Sequence, residues 1–293
     1  MSNFKPKKEI KINKEIVKRL IDEQFSNCSD LDINYLCSGW DNENYLLGSD
    51  YVVRLPRRMS STRLILNEIR CLNLLKDSLS INTPFPILEG KPSDEYSEKW
   101  VIYPFFEGNT VINSDLNNSQ AECFAMFLKE LHSFSIVNAP NNPYRSIPLR
   151  EKSDLVEKGF KVLFENKLFD IKKIERIWNK AVLLNLDKKC LIHGDLHSKN
   201  IIEKNGNIIA VIDWGDITLG DPATDLACLW MLFEKDSRQI IFNNYGIDNS
   251  LFYRSMGWAI FFGVVFYFSG IQGEKDNMYI SEKIFSAISN EDV

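Results

Sequence analysis

Leu191-Ile-His-Gly-Asp-Leu-His-Ser-Lys-Asn200, followed by Val211-Ile-Asp-Trp-Gly215, is the stretch whose reading decides the fold. It sets an aspartate, a short gap, an asparagine, a turn, an apolar run and a second aspartate in order. These groups suit a phosphoryl-transfer centre. Asp195 is the candidate base for a substrate hydroxyl, and Asn200 and Asp213 are oxygen ligands for magnesium holding a nucleoside triphosphate. An ordinary aspartate, with a pKa of about 3.9, is ionised and ready for that task at neutral pH.

The chain around this stretch has 293 residues, 44% hydrophobic and 26% charged, as in an ordinary globular protein with a substantial core. Net charge is -5 with no basic block, which argues against a nucleic-acid partner. Six cysteines lie scattered without CxxC or CxxH spacing, which points to a reducing compartment and away from zinc. The basic start Met1–Lys8 is followed by no apolar signal core. The apolar run from Met256 to Ile271 is shorter than the roughly 20 residues of a spanning helix, so it reads as a buried helix. The expectation is a cytoplasmic protein with no membrane partner.

Upstream, Asn13 caps an amphipathic helix over 13–25, with Ile16, Val17, Leu20, Ile21 and Phe25 on one side. Alternating runs at Leu31–Tyr35, Glu43–Leu47 and Tyr51–Leu55 predict an antiparallel meander, followed by a helix from about Ser60 to Leu79. Leu64, Ile65, Ile69, Leu72 and Leu75 form its core-facing stripe. Trp100–Tyr103 is another strand, and a hinge follows near Pro104 to Gly108. The polar tract Asn113 to Gln120 marks a change to mainly helical sequence. Only short strands are expected beyond it, at 191–192, 201–202 and 208–212, the last two joined by the turn Lys204-Asn-Gly-Asn207. The expected class is α+β, with a β-rich unit over 1–104 and a helical catalytic and substrate-binding unit over 105–293.

His193-Gly-Asp195…Asn200, Ile212-Asp-Trp-Gly215 and Gly220-Asp-Pro222…Asp225, in that order, resemble the aminoglycoside phosphotransferase family, which shares the two-lobed protein-kinase-like fold. The resemblance implies Asp195 as base and Asn200 and Asp213 as magnesium ligands. It implies Asp225 as a brace for the catalytic loop from a helix N-terminus, and His193 as structural support. His197 is read as solvent-facing. In the N-terminal half, Arg54 stands where protein kinases carry a phosphate-binding Lys, with Glu68 as its ion-pair partner; the two cations are not equivalent. Arg57 and Arg58 lie close by and compete with Arg54 for that place, the alternative for either being a solvated charge. No GxGxxG is present, and Ser38-Gly-Trp-Asp-Asn42 takes that place, with Ser38 and Asn42 as candidate phosphate contacts. At the hinge the resemblance implies that the Pro104 carbonyl and the Phe106 N–H meet the purine of ATP or GTP.

The acceptor implied is the hydroxyl of an aminoglycoside-type antibiotic. Such a cation calls for carboxylates, for which Asp216, Asp221 and Glu234 are the candidates, with Asp236, Glu274 and Asp276 behind them. The aromatic run Trp258, Phe261, Phe262, Phe266 and Tyr267 fits core better than a macrolide-like pocket. Two alternatives stand beside this reading. One is a metabolic kinase of an amino alcohol, sugar or nucleoside-like hydroxyl, and the other is a nucleotide-binding pseudokinase. The absent glycine-rich loop and the arginine at position 54 favour the pseudokinase, and the intact Asp195, Asn200 and Asp213 oppose it.

Overall fold

The computed structural model describes residues 6–112, 116, 118–166, 169–186 and 188–293. The basic start Met1–Lys8 and the polar tract Asn113–Gln120 lie partly outside them. The chain divides into two compact units, Met1–Lys76 with Thr83–Glu107, and Asp77–Asn82 with Gly108–Val293.

In the first unit, α1 (Lys14–Gln24) starts where the Asn13 side chain accepts the Ile16 N–H at 2.9 Å, and it buries Ile16, Val17, Leu20 and Ile21. Phe25 lies just past its end and meets Trp100 edge-on, with ring centroids 5.3 Å apart. The meander is β1 (Ile33–Ser38), β2 (Asn42–Leu47) and β3 (Tyr51–Pro56). The first strand begins two residues later than its sequence pattern suggests. Leu31 N–H is spent on the Cys28 carbonyl in a turn, and pairing opens at Ile33 with Leu47. Helix α2 (Thr62–Leu75) is shorter than expected, because Lys76 leaves helical geometry and Asp77 takes a positive φ of 59°. After β4 (Leu88–Gly90) and β5 (Trp100–Pro104), the sheet order is β1-β2-β3-β5-β4, with every pairing antiparallel. The order places Arg54 on the central strand β3, opposite Asn44 of β2 and Val101 of β5.

The second unit contains β6 (Asn109–Thr110), α3 (Asn118–Ser133), α4 (Ser153–Asn166) and α5 (Ile171–Leu183). Then follow β7 (Cys190–Ile192), β8 (Ile201–Lys204), β9 (Asn207–Val211) and β10 (Thr218–Gly220). The β8–β9 hairpin turns through Asn205 and Gly206, whose φ values of 55° and 76° explain the Asn-Gly pair. Strand β7 pairs with β10, Ile192 opposite Thr218, so the Asp195 loop leaves one strand beside the point where the segment after Asp213 enters its neighbour.

Short helices α6 (Ala223–Leu226) and α7 (Leu229–Leu232) lead to α8 (Lys235–Tyr245), α9 (Asn249–Gly270) and α10 (Lys275–Ser289). The apolar run sits in α9, which packs against α4, α5, α6 and α10. A helix apolar on nearly all sides belongs inside a large core. Trp258, Phe261, Phe262, Phe266 and Tyr267 are all buried there, as core residues.

Candidate active site

Strand β7 delivers the chain into a loop whose main chain is held by one carboxylate. Asp225, fully buried in the first turn of α6, accepts the His193 N–H at 2.7 Å and the Gly194 N–H at 2.9 Å. Gly194 has φ +84°, and a Cβ there would stand 2.6 Å from the Asp216 carbonyl oxygen; no other residue fits. The His193 ring accepts the Asp195 N–H on Nδ1 at 3.2 Å, so Nε2 carries the proton and donates it to the Ile212 carbonyl at 3.0 Å. The ring also packs on Trp214, centroids 4.6 Å apart. His193 and Asp225 therefore both shape the loop.

Two residues that the sequence did not single out extend this bracing. His132 Nε2 lies 3.2 Å from Asp225 Oδ2, and its Nδ1 lies 2.7 Å from the Tyr245 hydroxyl. Burial raises the Tyr245 phenol well above its ordinary range, so it donates to Nδ1 and leaves His132 to donate to Asp225.

The Asp195 carboxylate is half-buried. Its Oδ1 accepts from Arg145 Nη2 at 2.6 Å, and Oδ2 lies 3.4 Å from His197 Nε2. Burial pushes this carboxyl up, but Arg145 and then His197 outweigh it and hold it well below the usual carboxylate range. His197 is thus turned inward toward the base, its Nδ1 accepting the Lys199 N–H at 3.2 Å and its ring edge on Phe266. Arg145 escaped the sequence analysis because nothing local marks it.

Asn200 and Asp213 come together through the hairpin. The Ile212 N–H donates to the Asn200 carbonyl at 2.8 Å, one step beyond the pairing of Ile201 with Val211, so Asp213 follows directly. Asn200 Nδ2 donates to the Asp195 carbonyl at 2.9 Å, which leaves Oδ1 as the side-chain oxygen suited to a cation. Asp213 adopts left-handed geometry, φ 64° and ψ 64°, a sparsely populated conformation of the kind that concentrates at functional sites. Two hard oxygens fit magnesium, which prefers few protein ligands and completes its shell with phosphate and water. Among the described residues, no group of three or more His, Cys, Asp or Glu offers an all-protein cage.

In the strand-rich unit, Arg54 Nη1 donates to the fully buried Glu68 Oε1 at 3.1 Å. The Asn42 amide, oriented to accept, receives Arg54 Nε and Nη2 at 2.9 Å each. Asn42 is buried and holds Arg54, which replaces the phosphate contact expected of its side chain. Ser38 is similarly committed, its Oγ accepting from Arg57 Nη1 at 2.9 Å. Arg57 is buried and also binds the Gly39 carbonyl at 2.9 Å, so it fastens the Ser38–Asn42 turn and is not a solvated charge. Arg58 pairs with Asp41 in the same turn. At the end of β5, Phe105 N–H donates to Asp50 O at 2.7 Å on the β3 side. Pro104 is the last residue of β5, and Phe106 lies two residues past its end.

Of the carboxylates expected to receive a cationic acceptor, Asp216 and Asp221 are already paired. Asp216 accepts from Asn142 Nδ2 at 2.7 Å on Oδ1 and from Arg145 Nε at 3.1 Å on Oδ2. Asp221 is buried against Arg254, Nε to Oδ2 at 2.9 Å, and caps Ala223 N–H at 3.0 Å. A buried ion pair of this kind is structural, since breaking it strands a charge. Glu234 precedes α8 and lines a hollow with Trp230, Arg238 and Lys283, none of which belongs to the Asp195 loop.

Comparison with known proteins identifies the family and the fold. The model of the phosphotransferase enzyme family matches residues 32–257. Aminoglycoside 3′-phosphotransferase of Escherichia coli is 28% identical over 166 residues, 52% of this chain and 60% of the relative. The chain thus spans somewhat under two thirds of that relative's length. The structure of aminoglycoside 2′-phosphotransferase-IIIa with GDP superposes with a TM-score of 0.71 at 20% identity, over 95% of this chain and 99% of the other. A macrolide 2′-phosphotransferase from Brachybacterium faecium gives 0.63 at 16% identity, over 95% and 98%. These likenesses show the kinase-like α+β fold. With a family model covering most of its length, the chain belongs to the phosphotransferase enzyme family.

Proposed function

We propose that the protein transfers the γ-phosphoryl group of ATP or GTP to a hydroxyl of an aminoglycoside-type antibiotic in the cytoplasm. The observation that carries this reading is the ionised Asp195 carboxylate on a loop whose Asn200 binds Asp195 itself and adjoins Asp213. In the reaction the acceptor oxygen forms a bond to γ-phosphorus as the bond to the β,γ-bridging oxygen breaks. The hydroxyl proton passes to Asp195, and the nucleoside diphosphate leaves with the bridging oxygen. Asn200 Oδ1 and Asp213 would hold magnesium, which neutralises phosphate charge when bound. Within the strand-rich unit, Arg54, fixed by Glu68 and Asn42, is assigned to nucleotide phosphate, and Pro104 and Phe106 to the purine.

The aminoglycoside reading follows what the relatives' names say they act on. A second reading, a metabolic alcohol carrying little positive charge, is favoured by one observation. Asp216 and Asp221 are already neutralised by Arg145 and Arg254. A nucleotide-consumption screen separates them, with ATP and GTP as donors and aminoglycosides, macrolides and metabolic alcohols as acceptors. Turnover with aminoglycosides supports the first reading, and turnover with uncharged alcohols alone supports the second. Tight nucleotide binding without turnover on any acceptor contradicts both.

A further inference from the structure

Arg145 is anchored at several points beside Asp195, and neither the family's sequence blocks nor the similarity to relatives gives it a role. Its guanidinium lies between two carboxylates. Nη2 reaches Asp195 Oδ1 at 2.6 Å, and Nε and Nη2 both reach Asp216 Oδ2 at 3.1 Å. Its far side faces the Phe262 ring, 5.3 Å from the centroid. The loop that carries it is fixed at several points. Asn142 Oδ1 accepts Tyr144 N–H at 2.9 Å and Arg145 N–H at 3.2 Å, while Asn142 N–H donates to Thr218 Oγ1 at 3.1 Å. Ser146 Oγ meets Thr218 Oγ1 at 2.6 Å, and Lys189 holds the Ser146 carbonyl at 2.7 Å. The Arg145 stem also occupies the space a side chain at Gly194 would need, 3.3 Å from that missing Cβ. A side chain so wedged is permanent architecture and not a latch that an acceptor displaces.

We propose that Arg145 is a positioning residue for phosphoryl transfer: by tying Asp195 Oδ1 to Asp216 it fixes the base so that Oδ2, with His197 Nε2 3.4 Å away on one side, is the oxygen left to meet the acceptor hydroxyl, and it withdraws Asp216 from acceptor binding. The proposal rests on Asp195 being the base. A carboxylate turns readily about its terminal torsion, and holding one oxygen removes that freedom before the acceptor arrives. Asp216 is suited to holding the arginine because both its oxygens are occupied, Oδ1 by Asn142 and Oδ2 by Arg145. Without the guanidinium, Asp195 and Asp216 would face each other as like charges.

The test is steady-state kinetics on the full chain, with magnesium–nucleotide and the acceptor that the screen identifies each varied in turn, comparing R145A, R145Q, R145K, D216N, the R145A/D216N pair and D195N. R145A is expected to lower kcat by about 10²-fold while leaving the nucleotide KM within about twofold. R145K should recover part of the loss, because an ammonium reaches one carboxylate and not the fork of both. D216N should lower kcat less, leave the acceptor KM unchanged, and add nothing to R145A. Wild-type kcat in R145A overturns the proposal, as does a D216N variant with raised acceptor KM and unchanged kcat. If R145A fails to fold, wild-type kcat in R145Q serves as the same refutation. D195N separates the levels: if it retains turnover, the base assignment fails, whereas an inactive D195N beside an unaffected R145Q fails the positioning role alone.

Discussion

Asn200 turns its side-chain amide onto the main chain of Asp195, Nδ2 to carbonyl oxygen at 2.9 Å, so one residue fixes the base's backbone and presents Oδ1 on its other side. The two roles separate by substitution. Asn200→Ala removes both and is expected to weaken magnesium-dependent nucleotide binding about tenfold or more and to cut turnover further. Asn200→Asp keeps oxygen ligands but sets a carboxylate against the Asp195 carbonyl, so binding should survive better than turnover. Calorimetric titration with a non-hydrolysable nucleotide, with and without magnesium, checks this. Equal magnesium-dependent affinity in Asn200→Ala would remove Asn200 from the metal site.

Asp225 supports the same loop from beneath, and its contribution is to folding. Asp225→Ala leaves the His193 and Gly194 N–H groups and the His132 ring without their buried acceptor, and is expected to cost about 3–5 kcal/mol. Asp225→Asn keeps one acceptor oxygen and should cost less. Denaturant midpoints at a common slope measure both, and a loss below 1 kcal/mol in Asp225→Ala would contradict the bracing role.

Arg54 tests the nucleotide side. Its guanidinium meets Glu68 and Asn42 at once, a geometry lysine cannot reproduce. Arg54→Lys should therefore raise the nucleotide KM severalfold with little change in acceptor KM. Glu68→Gln should act in the same direction, because it loosens the same guanidinium. An Arg54→Ala variant with unaltered nucleotide affinity would dismiss the assignment.

Lys152 provides a pH-dependent prediction in stability. Burial, and then the neighbouring Arg145 charge, push its ammonium down to about 8. Its folded-state pKa lies below the unfolded value near 10.5, so between those limits the unfolded chain binds more protons and stability rises with pH. Below pH 8 the charged ammonium carries its full cost in the folded state. Lys152→Met should accordingly stabilise the protein at pH 7 by about 1–2 kcal/mol, after allowance for partial exposure and for the lost contact with the Phe261 ring at 4.9 Å. That gain should shrink toward pH 10. Melting curves across pH 7 to 10 read it, and a pH-independent difference would refute the cause given.

The sequence revealed what ordered motifs carry. The Asp195, Asn200 and Asp213 blocks are read directly along the chain, and the resemblance they carry pointed to the Asp225 brace and the Arg54–Glu68 pair, both of which form. Other partners were hidden because they lie in segments that no motif marks. Arg145 meets Asp216 across 71 positions, and Arg254 meets Asp221 across 33. Before those arginines are placed, Asp216 and Asp221 look like unpaired carboxylates suited to a cationic acceptor. Arg57 was misjudged for the same reason, since a charge in sequence carries no mark of burial. The first strand was misplaced because Tyr35 and Leu36 are exposed on an edge strand with a bulge at Tyr35–Cys37, which disrupts the alternation.

Asp195 carries the central claim, and single-turnover phosphoryl transfer by Asp195→Asn tests it most directly, with nucleotide affinity and melting temperature measured on the same sample. The substitution keeps the side chain's size but removes proton-accepting power, so transfer should fall by about 10²- to 10⁴-fold while nucleotide binding and folding stay near wild type. Transfer at the wild-type rate by a folded, nucleotide-binding Asp195→Asn would contradict the account.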